Sequence, residues 1–297
     1  MSHGRAVVVM VIAALLWSVA GVVARHLQVA QGFEVTFWRS ASNALALVLL
    51  LSWLRGPGRL WTSIRRGGPT LWLSGLCWSV MFTAFMMAIT LTTVANVLVT
   101  MAVSPLLTAL VAWAALGHRL PARTWGAIAA AGAGIAWMYA GELRTGDARH
   151  WAGMAVAVGV PVAAAVNWTV LQHERGRAAA GQATDYMPAV LIGAALSALF
   201  TLGPALPFQA TPHDLGMLSM LGLVQLAIPC LLAVAAARVL SAPEVALLGL
   251  LEVIFGVLWA WLWAGEAPSV AVLGGGALVI AALVANELLG LRSHRLG

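Results

Sequence analysis

Glu252 is a carboxylate set well inside an apolar stretch, with Leu250, Leu251, Val253 and Ile254 around it. A charge at mid-bilayer costs roughly 2.5–3.5 kcal/mol on insertion scales. Such a residue therefore signals a water-filled cavity, a partner, or neutralisation by a proton. In a cavity it can bind a proton or the cationic group of a solute. The plainer reading is a protonated glutamate hydrogen-bonded to a neighbouring helix.

Other polar residues recur within apolar stretches. Asn96, Thr100, Ser104 and Thr108 follow one another at intervals of four, which on a continuous helix gives one slowly drifting face. In lipid that face must meet protein or water. It lines a solute path or makes interhelical hydrogen bonds. Trp17, Trp78 and Trp168 lie mid-segment beside Ser18, Ser79 and Asn167, although tryptophan normally gathers at membrane interfaces. They form walls for an apolar or cationic solute or simply pack. Met81, Phe85, Met86 and Met87 extend that soft surface. Gln225 and Pro229 combine a two-way hydrogen-bonding side chain with a freed backbone carbonyl. Arg39 recognises a carboxylate, pairs with Glu34, or snorkels outward; a structural role is preferred. The candidate solute-binding set is thus Trp17, Trp78, Asn96, Thr100, Asn167, Trp168, Gln225 and Glu252. Glu252 is also the candidate proton-coupling group.

The elements that hold these residues follow from composition. The chain has 297 residues, 62% hydrophobic and 9% charged, against about 45–50% and about 25% in soluble domains. The bilayer must be its solvent. All basic residues are arginine, and a pI near 10.9 would suggest nucleic acid in a soluble protein. Here the arginines flank apolar segments and set topology instead. Cys77 and Cys230 both fall in apolar segments, so no disulfide framework or zinc cluster arises. The histidines lie in loops or at ends, without metal spacing. No nucleotide-binding, hydrolase or other catalytic motif appears, so no cofactor and no enzyme activity are expected. The apolar N-terminal run is longer than a signal-peptide core and reads as a first span.

Ten segments suit membrane spans: 6–24, 33–54, 69–90, 94–116, 123–141, 151–171, 186–203, 215–237, 244–264 and 269–289. With a cytoplasmic N-terminus, twelve arginines fall inside and only Arg25, Arg144 and Arg149 outside. That bias places both termini in the cytoplasm. Ser104-Pro105, Trp113, Gly117-His118 and Gly126 recur 148 positions later as Glu252-Val253, Trp261, Gly265-Glu266 and Gly274. Ala95-Asn96-Val97 matches Pro243-Glu244-Val245 at the same offset. Five spans per half make the copies inverted in the membrane. The expected fold is all-α and integral to the membrane: ten transmembrane helices in two inverted repeats, 1–141 and 151–297, joined by a linker at 142–150. Gly132, Gly134 and Gly274 to Gly276 read as packing positions. A duplicated chain completes the inverted pair by itself, which leaves the oligomeric state open.

Several of these residues carry a family resemblance: the ALLW start of span 1, Phe37-Trp38-Arg39 early in span 2, Ser104-Pro105 in span 4, and Leu251-Glu252 leading to Gly265-Glu266 in span 9. The chain resembles the ten-helix EamA-type carriers of the drug/metabolite transporter superfamily. It departs at His118, where that family usually has glutamate, and at Val253, where proline often follows the glutamate. The second departure predicts a span 9 less kinked than span 4, where Pro105 removes a backbone donor. The resemblance implies spans 1, 3, 4, 6, 8 and 9 around a central cavity, with spans 5 and 10 at the periphery. It implies export, exchange or facilitated passage of small metabolites, often amino acids, across a bacterial inner membrane, with protons as a candidate coupling ion. The rival readings are an uncoupled facilitator or channel and a lipid-modifying membrane enzyme. Scattered acids disfavour the last.

Overall fold

A computed structural model describes residues 1–24, 26–92, 94–117, 120–139, 148–179, 184–264 and 269–295. Arg25, His118, Gly265, Glu266 and residues 142–147 of the proposed linker lie outside the described residues. Regular structure among the described residues is helical throughout. Span 1 is His3–Trp17 followed by Ala20–Ala24, and span 2 is Gly32–Arg55. A short helix, Pro57–Arg66, leads to span 3, Pro69–Leu91. Span 4 is Val94–Met101 plus Ser104–Leu116, span 5 Ala122–Tyr139, span 6 Ala148–Ala179 and span 7 Met187–Leu202. Span 8 joins Pro212–Met220, a π-helix Leu221–Ala227, and Ile228–Ala236. Span 9 is Ala242–Gly249 plus Leu251–Ala264, and span 10 is Val270–Arg295. Six of these units are long and apolar enough to cross a membrane, and shorter apolar helices lie at Ser104–Leu116, Met187–Leu202 and Val270–Asn286. The chain is an all-α multi-pass membrane protein of ten helical spans in two inverted repeats.

Spans 4 and 9 are both interrupted, span 4 over two residues and span 9 over one. Span 4 breaks at Ala102-Val103 and span 9 breaks at Leu250, the same position after the 148-residue offset. Proline is not the cause in span 9. Its turn closes through tight i→i−3 bonds, from Leu250 N to Leu247 O at 3.2 Å and from Val253 N to Leu250 O at 3.1 Å. Gly249, a poor helix former, directly precedes it. The break in span 4 also divides the four-residue polar stripe. Thr100 ends one helical piece and Ser104 begins the next, so the stripe is not one continuous helix face.

Span 8 widens for a local reason. Pro229 has no N–H for the carbonyl of Gln225, four residues earlier, and its ring crowds that carbonyl. The ladder slips to i→i−5, as in the Ile228 N–H bonded to Leu223 O. The π-turn carries Gln225 inward, a common use of such bulges.

Carboxylates pin the loops at both ends of the bundle. At the end opposite the termini, Asp214 accepts from the backbone N–H groups of Gln28 (2.7 Å), Val29 (3.0 Å) and Ala30 (3.1 Å). Glu34 accepts from Gln209 N and Ala210 N, both at 2.8 Å. Glu34 is therefore committed to the loop before span 8 and not to Arg39. At the termini end, Asp185 pairs with Arg55 and, at 3.1 Å, with Arg238. It ties together the ends of spans 2 and 8. Tyr186 beside it bonds Thr70 at 2.6 Å, and burial pushes its hydroxyl pKa up to about 12.

Spans 5 and 10 pack on each other through glycine. A Cβ on Gly134 would meet the Gly275 carbonyl at 2.7 Å, and one on Gly275 would run into the Gly134 carbonyl and Met138. Backbone cannot yield as a side chain can. Gly275→Val is expected to cost about 1–3 kcal/mol by overpacking, read as a lower melting temperature of the purified protein. An unchanged melting temperature would contradict the close approach.

Candidate functional site

The helix breaks converge on a cavity of about 120 Å³ lined from spans 1, 2, 3, 4, 6, 8 and 9. That is smaller than the roughly 300–1,000 Å³ of drug-sized ligand sites, so its occupant is small. Of the expected set, Trp17, Trp78, Trp168, Gln225 and Glu252 line it. Met81, Phe85 and Ser104 line it too. Ser104 opens the second piece of span 4, and Glu252 lies in the first turn of the second piece of span 9. The two equivalent positions of the repeat thus meet in one cavity. A carboxylate in the first turn of a helix also sits at the positive end of its dipole.

The walls are aromatic. Trp17, Trp78 and Trp168 are at most 9% exposed, whereas Trp61, Trp151 and Trp263 are 60–66% exposed on the outside. Trp78 meets Trp168 edge to face at 5.6 Å and Phe82 at 5.5 Å. Trp17 is the last residue of its helix, where carbonyls lose their intrahelical donors. Gln225 Nε2 donates to the Trp17 carbonyl at 3.3 Å, and Trp259 Nε1 donates to Ser18 Oγ at 2.8 Å. Spans 8 and 9 therefore fix the break in span 1.

Asn167 and Thr100 stand outside the cavity lining. Asn167 is fully buried between spans 6 and 3, its Oδ1 accepting from Ser74 Oγ at 2.6 Å. Thr100 is buried with its hydroxyl 3.6 Å from Met154 Sδ. Asn96 falls in the helix Val94–Met101, but its side chain lies outside the described residues. Among the described residues, no group of three or more His, Cys, Asp or Glu side chains could hold a metal ion.

The lining residue given a structural role on sequence grounds is Arg39. It is 1% exposed and faces the cavity. Its Nη2 donates to the Phe82 carbonyl at 2.9 Å, while Nε and Nη1 have no partner. Trp78 Nε1 and Gln225 Oε1 are likewise buried without partners. Buried polar groups are normally satisfied. Arg39, Trp78 and Gln225 bring such atoms to this cavity; Trp38, Asn43, Asn167 and Thr169 carry others and do not line it among the described residues.

Residues 4–140 and 151–286 each match the EamA-like transporter family. The chain belongs to that family. It is a membrane transporter of small solutes, not an enzyme. One solved crystal structure superposes on 98% of the chain and 99% of its own length, with a TM-score of 0.75 and 19% identity; at that identity the likeness shows the fold alone. A comparison with curated proteins found no match. The cavity draws its lining from spans of both repeats, at their helix breaks.

Proposed function

We propose that this transporter is a secondary carrier that exports or exchanges a small amino acid-like solute across a bacterial inner membrane. Both termini face the cytoplasm, as the arginine bias favours. Alternating access comes from rocking one repeat against the other around the cavity. Glu252 binds the cationic group of the solute or, in its place, a proton. Trp17, Trp78 and Trp168 enclose the apolar part, and Gln225 Oε1 offers a second acceptor. Thr100 and Asn167 support these elements from outside the lining.

The observation that carries this reading is the presence of one acid, Glu252, and one cation, Arg39, among the described residues of a cavity otherwise walled mainly by aromatic and apolar groups, with Ser104 and Gln225 as polar exceptions. Charges of both signs in so small an apolar space fit a zwitterion better than a simple amine or a neutral sugar. A melting-temperature screen of purified protein against amino acids, amines and nucleosides tests it, followed by counterflow in proteoliposomes. Amino acids are expected to stabilise the protein and to drive counterflow. Stabilisation by amines or nucleosides alone, or no counterflow with any amino acid, would overturn it.

A further inference from the structure

Arg39 is an expensive residue to keep. Its guanidinium stays cationic in any protein environment, and it lies in an apolar span at 1% exposure. A buried charge persists only with a counter-ion and satisfied hydrogen bonds. Arg39 has neither in full. One donor goes to the Phe82 carbonyl, and Nε and Nη1 are left open. Glu34, the nearest acid along its own helix, is held by the Gln209 and Ala210 amides. Among the described residues that line the cavity, Glu252 is the only carboxylate.

The position of Arg39 is also tightly built. A Cβ on Gly222, in the π-turn of span 8, would lie 2.9 Å from the Arg39 carbonyl and 2.7 Å from Asn43 N. Spans 2 and 8 therefore meet backbone to backbone at this arginine. Phe82, which takes its one satisfied donor, stacks against Trp78. Arg39 and Trp78 both line the cavity, and each carries buried N–H groups without a partner. A rigid cationic fork with an indole donor on a neighbouring wall suits a planar two-oxygen anion. A dianion such as phosphate would leave one charge uncompensated, because Arg39 is the only cation among the described residues lining the space.

We propose that Arg39 is the carboxylate anchor of the solute site, and that Glu252, while ionised, balances its charge. This deepens the carrier reading and rests on it. The solute's carboxylate takes the open N–H groups of Arg39 and the indole of Trp78. Its ammonium turns to Glu252 and to Gln225 Oε1. Specificity then requires both charged groups of an α-amino acid, and the aromatic walls select an apolar side chain.

The test compares leucine and phenylalanine with their methyl esters, which lack the carboxylate, and with their N-acetyl forms, which lack the ammonium. Melting shifts of the full-length protein and inhibition of counterflow are both read. In wild type the free amino acids are expected to bind at least about tenfold more tightly than the esters. Arg39→Lys keeps the charge but loses the fork, and should weaken the free acids while leaving ester binding unchanged. Arg39→Gln should remove the acid-over-ester preference. Where Arg39→Gln does not fold, Arg39→Gln with Glu252→Gln removes both buried charges together, and the wild-type comparison stands without any variant. Equal binding of acid and ester in wild type, or a preference kept in Arg39→Gln, overturns the anchor and leaves the carrier reading intact. If no free amino acid binds or exchanges, both readings fail.

Discussion

Glu252→Gln is expected to abolish flux driven by a pH gradient while sparing exchange of solute for solute. The sign follows from competition for one carboxylate. Ionised, Glu252 holds the solute's cationic group; protonated, it holds nothing charged. Apparent affinity should therefore fall as pH falls, and an acidic outer face should release solute and load a proton for the return. Glutamine is neutral at every pH and so imitates the protonated state permanently. In proteoliposomes, gradient-driven flux through the variant should drop by about tenfold or more toward background. Counterflow, which needs no change of protonation, should persist at saturating solute, with weaker and pH-independent affinity. A variant that follows the pH gradient as wild type does would remove Glu252 from coupling and favour an uncoupled facilitator.

How much of this was legible in the chain differs by residue. The spans were legible because the bilayer imposes length and apolarity on each of them separately. The cavity tryptophans were legible because a tryptophan far from either interface is out of its usual place. Gln225 was legible through Pro229, whose missing N–H is a local fact with a local consequence. Arg39 was read otherwise, because a single arginine near the start of a span looks the same in sequence whether it snorkels or turns inward. Its direction is settled by tertiary neighbours: the Gly222 approach, the Phe82 carbonyl, and the loop that claims Glu34. The break in span 9 is hidden for a related reason. Proline does not mark it, and the local sign is Gly249, which costs a helix only about 1 kcal/mol and occurs in many helices that do not break. The offset itself was the better guide, since Leu250 falls 148 residues after Ala102. The stripe from Asn96 to Thr108 failed with it, because its logic assumed an unbroken helix.

Gly193→Ala should damage both stability and solute binding, and comparison with Gly275→Val separates the two effects. A Cβ on Gly193 would run into the Trp78 side chain and lie 2.8 Å from the Gly75 carbonyl and 3.0 Å from Ser79 N. Two of these obstacles are backbone, so spans 3 and 7 must part for even one methyl group. Overpacking of this kind costs about 1–3 kcal/mol. The displaced span carries Trp78, which meets Trp168 edge to face, and Phe82, whose carbonyl holds Arg39. One methyl group therefore disturbs both the wall and the anchor, and binding of an amino acid should weaken by about tenfold or more. Gly275→Val meets an equally unyielding backbone, but between spans 5 and 10, neither of which lines the cavity. It should lower the melting temperature and leave affinity unchanged in the folded fraction. Gly216→Ala, where a Cβ meets nothing within 4 Å, should change neither. If Gly193→Ala lowers the melting temperature but binds amino acids as wild type does, span 3 does not shape the solute site. The tryptophan wall would then be packing alone.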